Sequence, residues 1–233
     1  MTPGSVVVGY LDNGTWSACF GLSLRDLMLR DAATSNRIVR KGGRELRAVT
    51  PAGQVAANRN KVAADFLSTD GEWLFMVDTD MGFAPDTVDR LVTAADPKAR
   101  PVVGGLCFGV NRVAEAPFHG ERFRVRPTVY EWDDGDEPGF RPVLDYPRDR
   151  LVRVDGTGAA CLLVHRGVLE RLRSIGDGWF DPIGLGGHRF SEDLSFCLRL
   201  RELSIPLHVD TRVKTTHHKG AVYLDEAVFD GAR

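Results

Sequence analysis

The sequence predicts an α/β protein with a central, mostly parallel sheet flanked by helices. Three observations lead there. Apolar strand-like runs at residues 5–10, 73–77 and 101–108 are separated by stretches with helical apolar spacing, the alternation of βαβ units. Those runs are short, nearly continuous and bounded by turn signals, as in buried strands. A chain of 233 residues also suits one large domain, 1–233, of this class.

The elements follow in order. Residues 5–10 are rich in Val and stop near Asp12-Asn13-Gly14, a strong turn signal. Residues 22–29 have helical spacing, and the polar, Gly-containing stretch 37–47 reads as a loop or ragged hairpin. Residues 54–67 set Val55, Val62, Ala63, Phe66 and Leu67 on one side of a helix. The strand 73–77 ends abruptly at Asp78. Pro85 opens a helix through 87–95, with Val88, Leu91 and Val92 facing a core. Strand 101–108 contains Gly104-Gly105. Charges and prolines then break any period, most densely over 109–150. The stretch 109–155 is therefore expected to be an exposed, irregular insertion with short strands and no second core. Strand 159–164, helices 168–175 and 194–203, and strand 206–213 restore the regular pattern.

Composition narrows the function. Charged residues make up 27% and hydrophobic residues 43%, which excludes a mostly disordered chain. Thirty basic against thirty-two acidic side chains leave a charge of −2, without the basic excess of a dedicated nucleic-acid binder. Cys19, Cys107, Cys161 and Cys197 form no C-x-x-C pair, which argues against a zinc knuckle and for reduced thiols. No run approaches the roughly 18 apolar residues of a membrane span, and residues 1–5 carry no basic n-region. The expected place of action is the cytoplasm.

Four local features could carry chemistry. Asp78-Thr79-Asp80 ends a strand, at the edge where open α/β sheets bind ligands. Alternation turns residues 78 and 80 to one side, where paired carboxylates suit Mg2+ or Mn2+; an acidic strand end is the competing reading. Ser191-Glu192-Asp193 precedes the 194–203 helix. It reads as an N-cap with two acids in the first turn, or as a carboxylate held ready to be a general base. In Thr216-His217-His218 the adjacent histidines face opposite ways, so one at most joins the Asp pair. Asn58-Arg59-Asn60 is either a solvated helix face or, through Arg59, a clamp for a diphosphate.

Taken together, these features resemble one family. The carriers are Trp73-Leu74-Phe75-Met76-Val77-Asp78-Thr79-Asp80, Val102-Val103-Gly104-Gly105, Asp155-Gly156-Thr157-Gly158, Ser191-Glu192-Asp193 and Thr216-His217. In order and spacing they resemble the GT-A class of nucleotide-sugar glycosyltransferases, in particular small, family 2-like bacterial and phage members. The likeness runs from about Val6 to His218. It implies a GT-A fold and metal-dependent transfer from a nucleotide-diphosphate sugar to a hydroxyl of a glycan or protein, with Mn2+ or Mg2+ as cofactor. Asp80 would ligate the metal, with Asp78 beside it and nearer the ribose. His217 would complete the shell, since its offset from Asp210 favours it over His218. Tyr10 and Asp12 would hold the nucleobase and Arg59 the diphosphate. Gly105, Gly156 and Gly158 would let the main chain pass close to the sugar. Asp193, with Glu192 beside it, would act as the base of an inverting displacement. The insertion, with Tyr130 and Trp132, would meet the acceptor.

The implied chemistry is coherent. A bound cation stabilises charge on a leaving diphosphate, and a carboxylate can take the proton of an attacking hydroxyl. A non-catalytic binding protein on the same fold is the rival from another class. A sugar-phosphate nucleotidylyltransferase would need a basic residue in the loop after the first strand, and 9–15 has none. A haloacid-dehalogenase-type phosphatase would carry its D-x-D after the first strand.

Overall fold

The computed structural model describes residues 2–38, 45–49, 55–114, 121–176, 178–220 and 222–232. β1 (Thr2–Asp12) leads to α1 (Ala18–Ala33), where the Ser17 side chain accepts from the Phe20 N–H as N-cap. β2 (Glu45–Val49) pairs in parallel with β1, Val8 opposite Glu45. This corrects the C-terminal part of the expected loop or hairpin. The partner strand is remote in sequence, so no local turn signal marks the pairing. Residues 39–44 lie outside the described residues.

α2 (Val55–Leu67) buries Val62, Ala63 and Phe66. It sits tightly on β1: a Cβ on Gly9 would meet Val62 Cγ1 at 2.5 Å. β3 (Gly71–Asp78) is buried from 73 to 77 and lies parallel to β1. A turn leads to β4 (Met81–Phe83), α3 (Thr87–Ala94) and β5 (Val102–Leu106). The middle of the chain forms β6 (Phe108–Ala114), β7 (Glu121–Pro127), β8 (Val129–Asp133), β9 (Gly139–Pro142), β10 (Leu151–Val154) and β11 (Gly156–Thr157). Then come β12 (Cys161–His165), α4 (Arg166–Arg173), β13 (Gly184–Leu185), β14 (His188–Arg189) and α5 (Glu192–Glu202). β15 (Leu207–Lys219), β16 (Val222–Leu224) and α6 (Glu226–Gly231) follow.

The main sheet runs β10-β15-β5-β12-β3-β1-β2, with β4 and β16 added to β15. β2, β1, β3, β5 and β15 point one way. β12 is antiparallel between β3 and β5, and β10 is antiparallel on β15. The sheet is thus mostly parallel and covered on both faces. Phe20, Leu24, Leu27, Val88 and Leu91 of α1 and α3 pack on one side. Val62, Phe66, Leu169, Phe196 and Leu200 of α2, α4 and α5 pack on the other.

The insertion departs from the exposed segment expected. Its Val129, Tyr146 and Val154 join the α2–α5 core cluster, beside Phe108 from the end of the expected strand 101–108. β8, β9 and β11 form a small sheet whose Trp132 and Phe140 rings pack with Phe190, centroids 5.1–6.0 Å apart. An irregular period hid this, because short strands scatter their apolar residues too sparsely to show one.

Candidate functional site

The C-terminal ends of β1 and β3 and the chain entering β12 meet at one edge of the sheet. A cleft of about 400 Å³ opens there, its walls including Asn13, Arg59, Asp78, Asp80, Asp193 and Lys219.

β15 builds one wall by outrunning the sheet. It pairs with β5 as far as Asp210 opposite Gly105, and the next pair is Lys214 opposite Leu106. Residues 211–213 therefore bulge. Arg212 holds the bulge by donating from Nε and Nη2 to the buried Asp210 carboxylate at 2.8 and 2.7 Å. Beyond it β15 pairs with β4, His217 opposite Met81, and with β16. His217 and Lys219, two apart on one side of the strand, thereby reach Asp80.

His217 Nδ1 lies 2.7 Å from the Phe108 carbonyl, which can only accept, so Nδ1 carries the hydrogen. Nε2 then faces Asp80 Oδ2 at 3.2 Å, and Lys219 Nζ donates to the same oxygen at 2.8 Å. Burial works to raise the Asp80 carboxyl, yet the hydrogen bonds and charges of His217 and Lys219 outweigh it and hold the group at about 2. Burial likewise pushes the His217 imidazole down, and Asp80 lifts it above its ordinary value. Asp80 Oδ1 is buried without a hydrogen-bond partner. A carboxylate and an imidazole nitrogen this close, with the ring fixed from behind, fit a divalent ion that takes the rest of its shell from water or phosphate.

Asp78 does not join them. β3 ends at Asp78 and the chain turns through 79–80, so strand alternation stops there. Among the described residues no three of His, Cys, Asp and Glu converge on a single point. Asp78 instead accepts from Arg59 Nη2 at 3.0 and 3.2 Å. The Arg59 side chain is only 3% exposed, and its Nε faces Asp193 Oδ1 at 3.5 Å and Glu192 Oε1 at 3.7 Å. Burial works against its cation, and Asp78, Asp193 and Glu192 more than restore it, so the guanidinium stays charged.

Glu192 and Asp193 occupy the first turn of α5 behind the N-cap Ser191, whose side chain accepts from the Leu194 N–H at 3.4 Å. Burial is the largest influence on Asp193 and raises it. Arg59 opposes, Glu192 and Asp78 add to the rise, and the carboxyl settles at about 6. Its Oδ1 has no hydrogen-bond partner.

No protein-family model matches the sequence, and no curated protein matches it significantly. Solved structures do match in shape. A197 from STIV aligns over 96% of this chain and 91% of its own, with a TM-score of 0.55 at 15% identity. GalNAc-T7, solved with UDP, GalNAc and Mn2+, aligns over 91% of this chain at 11% identity, with a TM-score of 0.57. This chain spans 43% of the GalNAc-T7 chain. The fold is of the GT-A type.

Within this GT-A fold, Arg59, Asp78, Asp80, Gly158, Glu192, Asp193 and His217 all line the cleft. Tyr10 does not. It is 1% exposed, with its ring against Trp16 and Phe20 in the core. Strand parity explains the miss, because Leu11 and Asn13 are the neighbours that face the cleft. Asp12 shapes the turn by accepting from the Gly14 N–H at 2.9 Å, and it does not line the cleft. Gly105 lies inside the sheet, where a Cβ would come within 2.9 Å of Cys161 Sγ. Gly156 accommodates the Phe140 ring, 2.8 Å from a built Cβ. Trp132, expected to face an acceptor, is packed against Phe140 with Arg201 over its ring at 5.3 Å. His218 stacks on Tyr223 with ring centroids 4.6 Å apart. Lys219 is the site residue that sequence reasoning missed. Its signal was the spacing of two from His217, which puts both on one strand face.

Proposed function

We propose that this chain is a divalent-cation-dependent glycosyltransferase that moves a sugar from a nucleoside-diphosphate sugar to a hydroxyl of a glycan or protein. The charge of the cleft carries the reading. Asp78, Asp80, Glu192 and Asp193 line it against the basic side chains Arg59 and Lys219. An anionic diphosphate meets net repulsion there unless a further cation accompanies it. The UDP and Mn2+ bound to GalNAc-T7, which shares the fold, support this pairing of ligands.

Asp80 and His217 Nε2 would hold the cation, which when bound neutralises charge on the leaving diphosphate. Arg59 is committed to Asp78 and faces Asp193, so it orients carboxylates and does not clamp phosphate. Asp193, with its carboxyl at about 6 and no hydrogen bond on the Oδ1 that faces Arg59, is ionised near neutral pH and takes the proton of the attacking hydroxyl. Glu192, in the same helical turn, keeps that corner anionic and favours the approach of a hydroxyl over a second anion.

Release of nucleoside diphosphate from a panel of nucleotide sugars, with Mn2+ or with EDTA, tests the reading. One donor should be hydrolysed slowly with Mn2+ and spared in EDTA, and Asp80→Asn should abolish that release. Silence across the panel, with no shift in melting temperature from any nucleotide, would overturn it.

A further inference from the structure

We propose that Lys219 is a tethered counter-ion that excludes a divalent cation from Asp80 until a nucleoside diphosphate draws its ammonium away. The inference rests on the donor-site reading above and names how that site is regulated.

Lys219 Nζ occupies the Asp80 oxygen that also faces His217 Nε2. A divalent ion that Asp80 and His217 would hold would therefore meet the Lys219 ammonium close by, or displace it. Displacement is easy. Lys219 is 45% exposed at the end of β15, opposite Val222 in the β15–β16 pairing and followed by Gly220 at φ 65°. Exposed ion pairs of this kind are weak. When the ammonium leaves, Asp80 regains Oδ2 and still carries the buried, unpartnered Oδ1.

The ammonium also has a destination. Arg59 is 3% exposed and already paired with Asp78, so among the described lining residues Lys219 is the exposed basic side chain. A diphosphate oxygen offers it a stronger partner than a half-buried carboxylate already shared with an imidazole. Metal and diphosphate then bind in concert, each raising the affinity for the other by the same factor.

Mn2+ binding followed by electron paramagnetic resonance separates the possibilities, using the full chain, Lys219→Met, Lys219→Gln and Asp80→Asn. With Mn2+ alone, both Lys219 variants should bind at least about fivefold more tightly than the unaltered chain. UDP should tighten Mn2+ binding to the unaltered chain and do so much less in the variants. Asp80→Asn should lose the ion in every background. Equal Mn2+ affinity with and without the lysine overturns the proposal, as does an equal effect of UDP in both. If no form binds Mn2+ while UDP still raises the melting temperature, the counter-ion role fails and the nucleotide site stands. If neither ligand binds any form, both readings fail together.

Discussion

Asp193 is held under opposing demands. Burial and two neighbouring carboxylates lift its carboxyl to about 6, so the folded protein binds that proton more tightly than the unfolded chain does. The folded state is therefore favoured while Asp193 is protonated, and that contribution is lost as pH rises from about 4 through about 6. Asp193→Asn should raise stability at pH 7 by on the order of 1–3 kcal/mol in a denaturant melt while stopping transfer. In the unaltered chain transfer should rise with pH through about 6, read as kcat/KM across a pH series. A flat profile with active Asp193→Asn would remove it as the base. The acids and the histidine of the cleft were legible at this scale because they are distinctive residue types. Their partners were not. Arg59 on the inward face of α2 looks, in sequence, like any charge on a helix, and only packing shows it to be 3% exposed.

Elements position these groups through a few local devices. Ser191 anchors α5, so Ser191→Ala should cost about 1 kcal/mol in thermal or chemical denaturation. It should also lower transfer, since Glu192 and Asp193 sit in the turn that frays. Gly105 separates strand packing from ligand binding. Gly105→Ala should cost roughly 1–3 kcal/mol, because the new Cβ lies 2.9 Å from Cys161 Sγ and 3.3 Å from the Val213 carbonyl. Nucleotide affinity of the folded fraction, measured by calorimetry below the melt, should stay unchanged. A selective loss of affinity would return Gly105 to the donor site. β1, β3, β5 and β12 were readable as continuous apolar runs. β4, β16 and β10 were not, because they span three or four residues and owe their strand form to the partner β15.

Across the whole molecule, one sheet carries both apolar layers. Val6 and Val8 face one layer and Val7 the other. Neither layer can melt and leave the other a closed core. The small sheet β8–β9–β11 leans on α5 and shares the same core, with the built Gly156 Cβ only 3.2 Å from Leu194 Cδ2. Calorimetry should accordingly record one unfolding transition with equal calorimetric and van't Hoff enthalpies. A separate early transition for residues 121–157 would mark that region as its own unit. The α/β class was legible at this scale from the alternation of strand and helix. The contribution of the middle segment to the core was not, since Val129, Tyr146 and Val154 are too far apart to form a pattern.

The bulge at 211–213 makes the end of β15 evolvable. It lets the pairing with β4 be set apart from the pairing with β5, so loop length alone decides which side chains meet Asp80. Deleting Arg212 with the β5 pairing held would slip the strand by one residue against β4, bringing His218 into the place of His217 and Gly220 into that of Lys219. An imidazole would remain and the ammonium would vanish. A single codon loss would thus put a glycine where the ammonium now meets Asp80, while the β5 pairing up to Asp210 stays as it is.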